Sequence, residues 1–483
     1  MRIDEYLQHD ATGLAALVRA GEVTAHELLD LALERMAATD EAIGAVVHVE
    51  EGAARRSIDS GLPTGPFTGV PFLLKDMGCE AIDFPTSEGS RLFADSRHSY
   101  DSEIFQRLRA TGLVTFGRTT APEGGVGPTI EAQVYGRVTR NPWNTDRVCG
   151  GSSGGAGAAT AAGVTPVAHG SDGGGSVRIP ASNNGLLGMK ATRALFPDGP
   201  ASGEGWAGMA TDGFFTRTVR DHAAFFDACA GPDVGVPYYA PRYAPPEGTY
   251  LDAISRPPRR LKVAMSTTTF TGDPIHPDCV AAVEHAARVL ESLGHEVVVD
   301  MPKVPMLDFM EAWSLIVACG SHLMVESRLA ALGRDDAGDD IEGITRLSCE
   351  LGREVTGARY LASVNTVHAI GRIVARFMEG YDILLTSTMG EPPAEIGRFN
   401  PRRTDAWSTF LEYRLEHVLP YSPFAPLANG TGQPAMNLPL YLSTDGVPIG
   451  THLMARAGDD HTLLQLAAQC EQADPWAHRR PNL

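Results

Sequence analysis

Gly150-Gly151-Ser152-Ser153-Gly154-Gly155 and, 24 residues beyond Ser152, Gly173-Gly174-Gly175-Ser176 are the segments from which the rest of the chain is read. Glycine-rich backbone turns its N–H groups inward and lets them approach a ligand closely. A serine beside such a nest is a candidate nucleophile, because those N–H groups could hold its oxyanion. A serine hydroxyl is a poor nucleophile and needs a base. The candidate is Lys75, in Gly69-Val70-Pro71-Phe72-Leu73-Leu74-Lys75-Asp76. A lysine closing an apolar strand is partly desolvated, and desolvation lowers its pKa until it can act as a neutral amine. Taken singly, each feature has a plain structural explanation, a turn or a solvated charge. Flexible tethers share the composition of 150–176, but here Ala, Val and Pro166 interleave in helix and strand patterns, which predicts ordered backbone.

Outward from these segments, strand and helix patterns alternate. Toward the N-terminus, Thr24-Ala25-His26-Glu27 is a capping box ahead of Leu28, Leu29, Leu31, Leu33 and Met36. Strands are expected at Ala45–Val49, Val70–Leu74, Leu113–Phe116, Pro166–His169, Arg260–Met265, Glu296–Val299 and Asp382–Thr386. Helices are expected at 102–111, 155–162, 279–293 and 356–379, with Gly112, Gly163 and Gly294 placed as C-caps. This alternation predicts an α/β protein with a large, mostly parallel sheet covered on both faces. Residues 231–258 and 388–403, rich in proline, read as loops. The organisation expected is one domain over 1–483: a helical region at 1–66, a core with the chemistry at 67–230, a variable pocket region at 231–430 and a return to the core at 431–483.

Composition narrows the class. The chain has 483 residues, a formal net charge of −19 and a 43% apolar content. That charge disfavours nucleic acid, whose phosphates demand a basic face, and an anionic membrane surface. Seven cysteines stand at wide spacings without a CxxC pair, which excludes zinc ribbons and thioredoxin-like motifs. The opening MRIDEYLQHD lacks an apolar segment of the kind a secretory signal carries, and no run of 18 apolar residues occurs. The expectation is a cytoplasmic protein with reduced thiols.

Competing motifs are weaker. Gly151-Ser152-Ser153-Gly154-Gly155 also fits G-x-S-x-G, but that elbow must follow a strand directly, and Asn141–Arg147 reads as loop. No complete GxGxxG or GxxxxGK[ST] is present, there is no HExxH, and the fifteen histidines show no ligand spacing. Neither a metal nor an organic cofactor is implied. His169, Cys149 and Cys79 lie near the motifs and read as structural.

Together these residues resemble the amidase-signature family. The likeness runs from Gly150–Gly155 through the small-residue helix to Asp172-Gly173-Gly174-Gly175-Ser176-Val177-Arg178. It extends to the Gly-Val-Pro-x-x-x-Lys-Asp block ending at Asp76, to Arg140-Asn141-Pro142-Trp143-Asn144, and to Gly432-Gln433-Pro434-Ala435 with Asp445–Gly450. Within the family, Pro166–Gly170 and Pro475-Trp476…Arg479-Arg480-Pro481 look most like the 6-aminohexanoate cyclic dimer hydrolases, which open nylon-oligomer rings. The stretch after Lys190, and residues 307–360 and 388–424, match less well. The resemblance implies the amidase-signature fold and a Ser-cisSer-Lys triad. Ser176 would be the nucleophile, Ser152, on a cis peptide, the proton relay, and Lys75 the base. The amides of Gly173, Gly174, Gly175 and Ser176 would form the oxyanion hole. Asp172 and Arg178 would hold that loop in shape, with Ser153 behind it. It implies amide hydrolysis through an acyl-enzyme on a small linear or cyclic amide, an anilide or a carbamate, without cofactor; for assembly, a homodimer is the commonest default. Two other readings remain open at this point: a glutamine-hydrolysing subunit of a transfer-RNA amidotransferase, and a scaffold that kept the fold without the chemistry.

Overall fold

The structure, a computed structural model, describes residues 1–403 and 406–483. Its strands are β1 (Val46–Val47), β2 (Pro71–Lys75), β3 (Val114–Thr119), β4 (Arg140–Asn141), β5 (Asn144–Val148), β6 (Ala168–Asp172), β7 (Leu187–Lys190), β8 (Thr211–Thr216), β9 (Lys262–Met265), β10 (Glu296–Val299), β11 (Ile383–Ser387), β12 (Ala435–Leu442) and β13 (Pro448–Ala455). Among the described residues, eleven of them form one sheet in the order β1-β3-β2-β6-β8-β7-β12-β13-β11-β9-β10. The sheet is mixed. Strands β3-β2-β6 and β11-β9-β10 run parallel within each group, and the pairs between β6 and β11 are antiparallel.

Both faces are covered. Ile383 and Leu385 belong to one apolar core and Leu384 to another, and the same switch separates Leu453 and Ala455 from Met454. Such alternation is what a strand buried on both sides requires, because successive side chains point to opposite faces. Helices Val219–Cys229, Pro277–Ser292 and Asp460–Ala473 pack into the first core, and Met306–Leu332 and Gly357–Phe377 into the second. The capping box is formed: Thr24 Oγ1 accepts from Glu27 N, and the Glu27 carboxylate accepts from Thr24 N.

Two local readings change. Asn141–Arg147 is not simply loop: β4 and β5 form a hairpin turning at Pro142-Trp143. It pairs with no strand of the large sheet, so the elbow geometry is still missing. The strand expected at Pro166–His169 begins at Ala168 and runs to Asp172, because its ladder is with β8, where Asp172 pairs with Thr211. This shift makes Ser171 and Asp172 the C-terminal end of an interior strand. The glycine-rich segment is ordered: Gly154–Ala162 is a fully buried helix. A Cβ on Gly155 would stand 2.5 Å from Thr120 N, so the close packing explains glycine where helix propensity disfavours it.

Met306–Leu332 is long and apolar enough to cross a membrane by length and composition. In this fold its Met310 and Trp313 are buried and line a cavity. All seven cysteines are free thiols, and all but Cys319 are buried.

Candidate active site

The C-terminal ends of the parallel strands β2, β3 and β6 lie side by side, and the residues singled out in the sequence gather there. Lys75, the last residue of β2, is fully buried. Its Nζ lies 2.7 Å from Ser152 Oγ and 2.9 Å from Ser171 Oγ. Burial brings its pKa down to about 7, although the charges of Asp172 and Asp212 oppose the fall. Its backbone N–H donates to His169 Nδ1, while His169 Nε2 meets Asp212 Oδ1 at 2.7 Å. Arg118 on β3 donates to the carbonyls of Lys75, Gly78, Cys79 and Phe84, closing the turn that follows the lysine. Asp76 is held by Thr86, Ser87 and Tyr135. Burial alone would raise its pKa, yet His48 and the hydroxyls of Ser87 and Tyr135 bring it to about 2.

Ser152 follows a cis Gly151–Ser152 peptide. Ser153 joins the two glycine-rich segments. Its N–H donates to Ser176 O, its Oγ donates to Ser171 O and accepts from Ser171 N. Asp172 and Arg178 form a fully buried pair rather than a surface one, with Arg178 Nη2 2.8 Å and Nε 3.0 Å from the carboxylate. The carboxylate also accepts from the amides of Gly175 and Val177. Burial would raise its pKa, but the Arg178 charge and these hydrogen bonds hold it well below the ordinary carboxylate range. The Gly175 amide donates to Asp172 at 2.8 Å.

Several contributors carried no local signature. Asn429 Nδ2 donates to Asp172 O and Oδ1 and to Met209 O, and Asn429 Oδ1 accepts from Arg178 Nη2. Arg178 Nη1 donates to Ala425 O and to His452 Nε2. Burial and the Arg178 charge keep His452 neutral, so its ring nitrogen can accept. Ser171, Asn429, His452 and Arg118 come from separate segments, and only the fold brings them together.

Ser176 lines a cavity that it shares with Gly127, Gly151, Gly174, Trp206, Trp313 and Arg414. Two tryptophans press on the loop from above. A Cβ on Gly174 would stand 2.8 Å from Trp313, and one on Gly173 would stand 2.7 Å from Trp206. Trp313 Nε1 donates to Gly173 O. Among the described residues, no group of three or more His, Cys, Asp or Glu could hold a metal ion.

A buried amine thus lies against one serine, and a second serine on a glycine loop lines the adjoining cavity. The chain belongs to the amidase family, whose model matches residues 27–464, and is a hydrolase of C–N bonds other than peptide bonds. It is 38% identical over 488 residues to the 6-aminohexanoate-cyclic-dimer hydrolase of Paenarthrobacter ureafaciens, covering 99% of this chain and 97% of that one. The enzyme of the same name from Pseudomonas sp. (strain NK87) matches at 38% with the same coverage. A solved structure of 6-aminohexanoate cyclic dimer hydrolase superposes with a TM-score of 0.93 at 36% identity, over 99% of both chains. A bacterial aryl acylamidase shares the fold with a TM-score of 0.85 at 24% identity, over 97% of both chains.

Proposed function

We propose that this chain hydrolyses small carboxamides, including linear or cyclic oligoamides of the 6-aminohexanoate type, through an acyl-enzyme on Ser176. The observation that carries the reading is Lys75, buried, with its pKa brought to about 7 and its Nζ 2.7 Å from Ser152 Oγ. A neutral amine in that position accepts the Ser152 proton while Ser152 takes the proton of Ser176. Ser176 Oγ then forms its bond to the amide carbon, and the carbonyl electrons move to oxygen. The amides of Gly173, Gly174 and Ser176 hold that oxyanion; Gly175 and Asp172 keep the loop in place. On collapse the C–N bond breaks and the nitrogen leaves with the proton returned through Ser152. Water then donates a proton along the same route, attacks the ester carbon and releases the acid, restoring Ser176. The two relatives named for the 6-aminohexanoate cyclic dimer support the oligoamide substrate class, and anilides and carbamates require the same acyl transfer.

The test is turnover of a cyclic oligoamide, an anilide, a carbamate and glutamine, with a serine-directed probe mapped by mass spectrometry. The expected result is turnover within the first three and label on Ser176. Ser176→Ala should lose at least about a thousandfold in kcat/KM, since nucleophile and base act as a unit. Turnover of glutamine alone, or label elsewhere, would refute the reading.

A further inference from the structure

Arg414 is a charged side chain that the proposed chemistry leaves unused. It sits on a π-helical stretch, Tyr413–Val418, and such widened turns concentrate at functional sites. The residue is 5% exposed and lines the cavity that holds Ser176. Its guanidinium lies over the Trp313 ring, 4.4 Å from the centroid. Among the described residues it has no ion-pair partner, and its Nε is buried without a hydrogen-bond acceptor. Ser422 Oγ, on the same cavity wall, is buried and unpartnered as well. The other buried arginines have acceptors: Arg178 has Asp172, Asn429, Ala425 and His452, Arg118 has four carbonyls, and Arg217, whose Nε is also unpartnered, gives its Nη groups to the carbonyls of Thr160, Ala161 and Arg479.

A buried N–H without an acceptor is costly, and a ligand that supplies one recovers that cost. Stacking on an indole leaves the in-plane N–H donors free to bind a planar, two-oxygen acceptor. The remaining cavity surface is largely apolar, with Val126, Ile179, Met310, Val418 and Leu419, which suits a hydrocarbon chain. Trp313 and Arg414 fall in 307–360 and 388–424, stretches that match the amidase-signature pattern less well.

We propose that Arg414, stacked on Trp313, is a specificity residue that selects amides carrying a carboxylate at the far end of an apolar chain. The inference rests on the amidase reading and narrows its substrate class to linear amides, because a cyclic oligoamide carries no carboxylate.

Two matched series test it. On the acyl side, the mono-p-nitroanilides of glutaric, adipic and suberic acids are compared with acyl anilides ending in methyl and with those ending in a primary amide. On the amine side, N-acetyl-6-aminohexanoate is compared with N-acetylhexylamine. The wild type should favour the carboxylate in at least one series, by roughly ten- to a hundredfold in kcat/KM, the range of a charge-assisted hydrogen bond. Arg414→Met should bring that ratio to about one, and Arg414→Lys should restore part of it. Equal use of carboxylate and methyl compounds by the wild type would overturn the proposal while leaving the amidase reading standing. So would a ratio that survives Arg414→Met, or equal use of carboxylate and primary amide, which would make the arginine a reader of neutral carbonyls. Should no compound turn over, tryptophan fluorescence gives dissociation constants in Ser176→Ala and in Ser176→Ala/Arg414→Met. Tighter binding of a carboxylate compound that vanishes with Arg414 sustains the proposal without the chemistry, and equal binding of all compounds sinks it.

Discussion

A lowered lysine pKa does not by itself mark a catalytic base. Lys190 is also buried, and burial followed by the charge of Arg178 brings its pKa to about 7 as well. Its Nζ meets the carbonyl of Ala191, which offers no proton to accept. Lys75 differs in facing two hydroxyls, and this pairing makes its neutral form useful. With a base titrating near 7, kcat/KM should fall about tenfold per pH unit below that point and level off above it. A flat profile between pH 5 and 8 would exclude Lys75 as the base. The same residue should also weaken the fold. Its native pKa is depressed from the usual 10.5, so the unfolded chain binds a proton that the native state resists. The penalty is present in full below pH 7 and fades as pH rises toward 10.5; it corresponds to at most roughly 4–5 kcal/mol. Lys75→Met should therefore abolish activity yet raise the melting temperature at pH 6. That gain is reduced by what Ser152 and Ser171 lose, and it should shrink on going to pH 9. A melting temperature that drops on substitution at pH 6 would show that the lysine's hydrogen bonds outweigh its desolvation.

At the scale of elements, the loop between β6 and helix Arg178–Asn184 is held from one side by Asp172, which accepts from two loop amides and from Arg178. Removing its charge leaves Arg178 buried without a counter-ion. Asp172→Asn should cost about 3–5 kcal/mol in urea unfolding, whereas Asn429→Ala, which removes neutral partners, should cost roughly 1–3 kcal/mol. Comparable losses from the two would mean that the charge is not what fixes the loop. The sequence revealed this element because its residues stand together in the chain: a glycine run, and an Asp and an Arg six residues apart. It revealed β2, β3, β9, β10 and β11 because apolar runs alternate there with helical periodicity. It was silent on β7, β8, β12 and β13, the antiparallel middle, whose strands are told apart by tertiary pairing rather than by their own pattern. The hydrogen bond from the Gly175 amide to Asp172 was hidden for a related reason, because it depends on where the end of β6 places Asp172.

For the whole molecule, what stayed hidden in the sequence is the pocket wall. Met310 and Trp313, Arg414 and Val418, and Ser176 come from three separate parts of the chain, and only the finished fold places them around one cavity. This scale also governs how a charged substrate arrives. The chain carries a formal charge of −19, while the proposed recognition point is a single buried cation. An anionic amide would thus be repelled over long range and attracted only after entering the cavity, where solvent ions screen poorly. Added salt weakens the first effect more than the second. Raising ionic strength from about 0.01 to 0.3 M, which shortens the screening length from roughly 30 Å to about 6 Å, should increase kcat/KM for a carboxylate-bearing amide several-fold. The methyl-ended counterpart should change little, because it has no net charge to steer. In Arg414→Met the salt dependence of the carboxylate compound should persist although its preference is lost, since the repulsion belongs to the surface and the selection to the cavity. A decline in kcat/KM with salt for the carboxylate compound would mean that a local positive field at the cavity mouth prevails over the net charge.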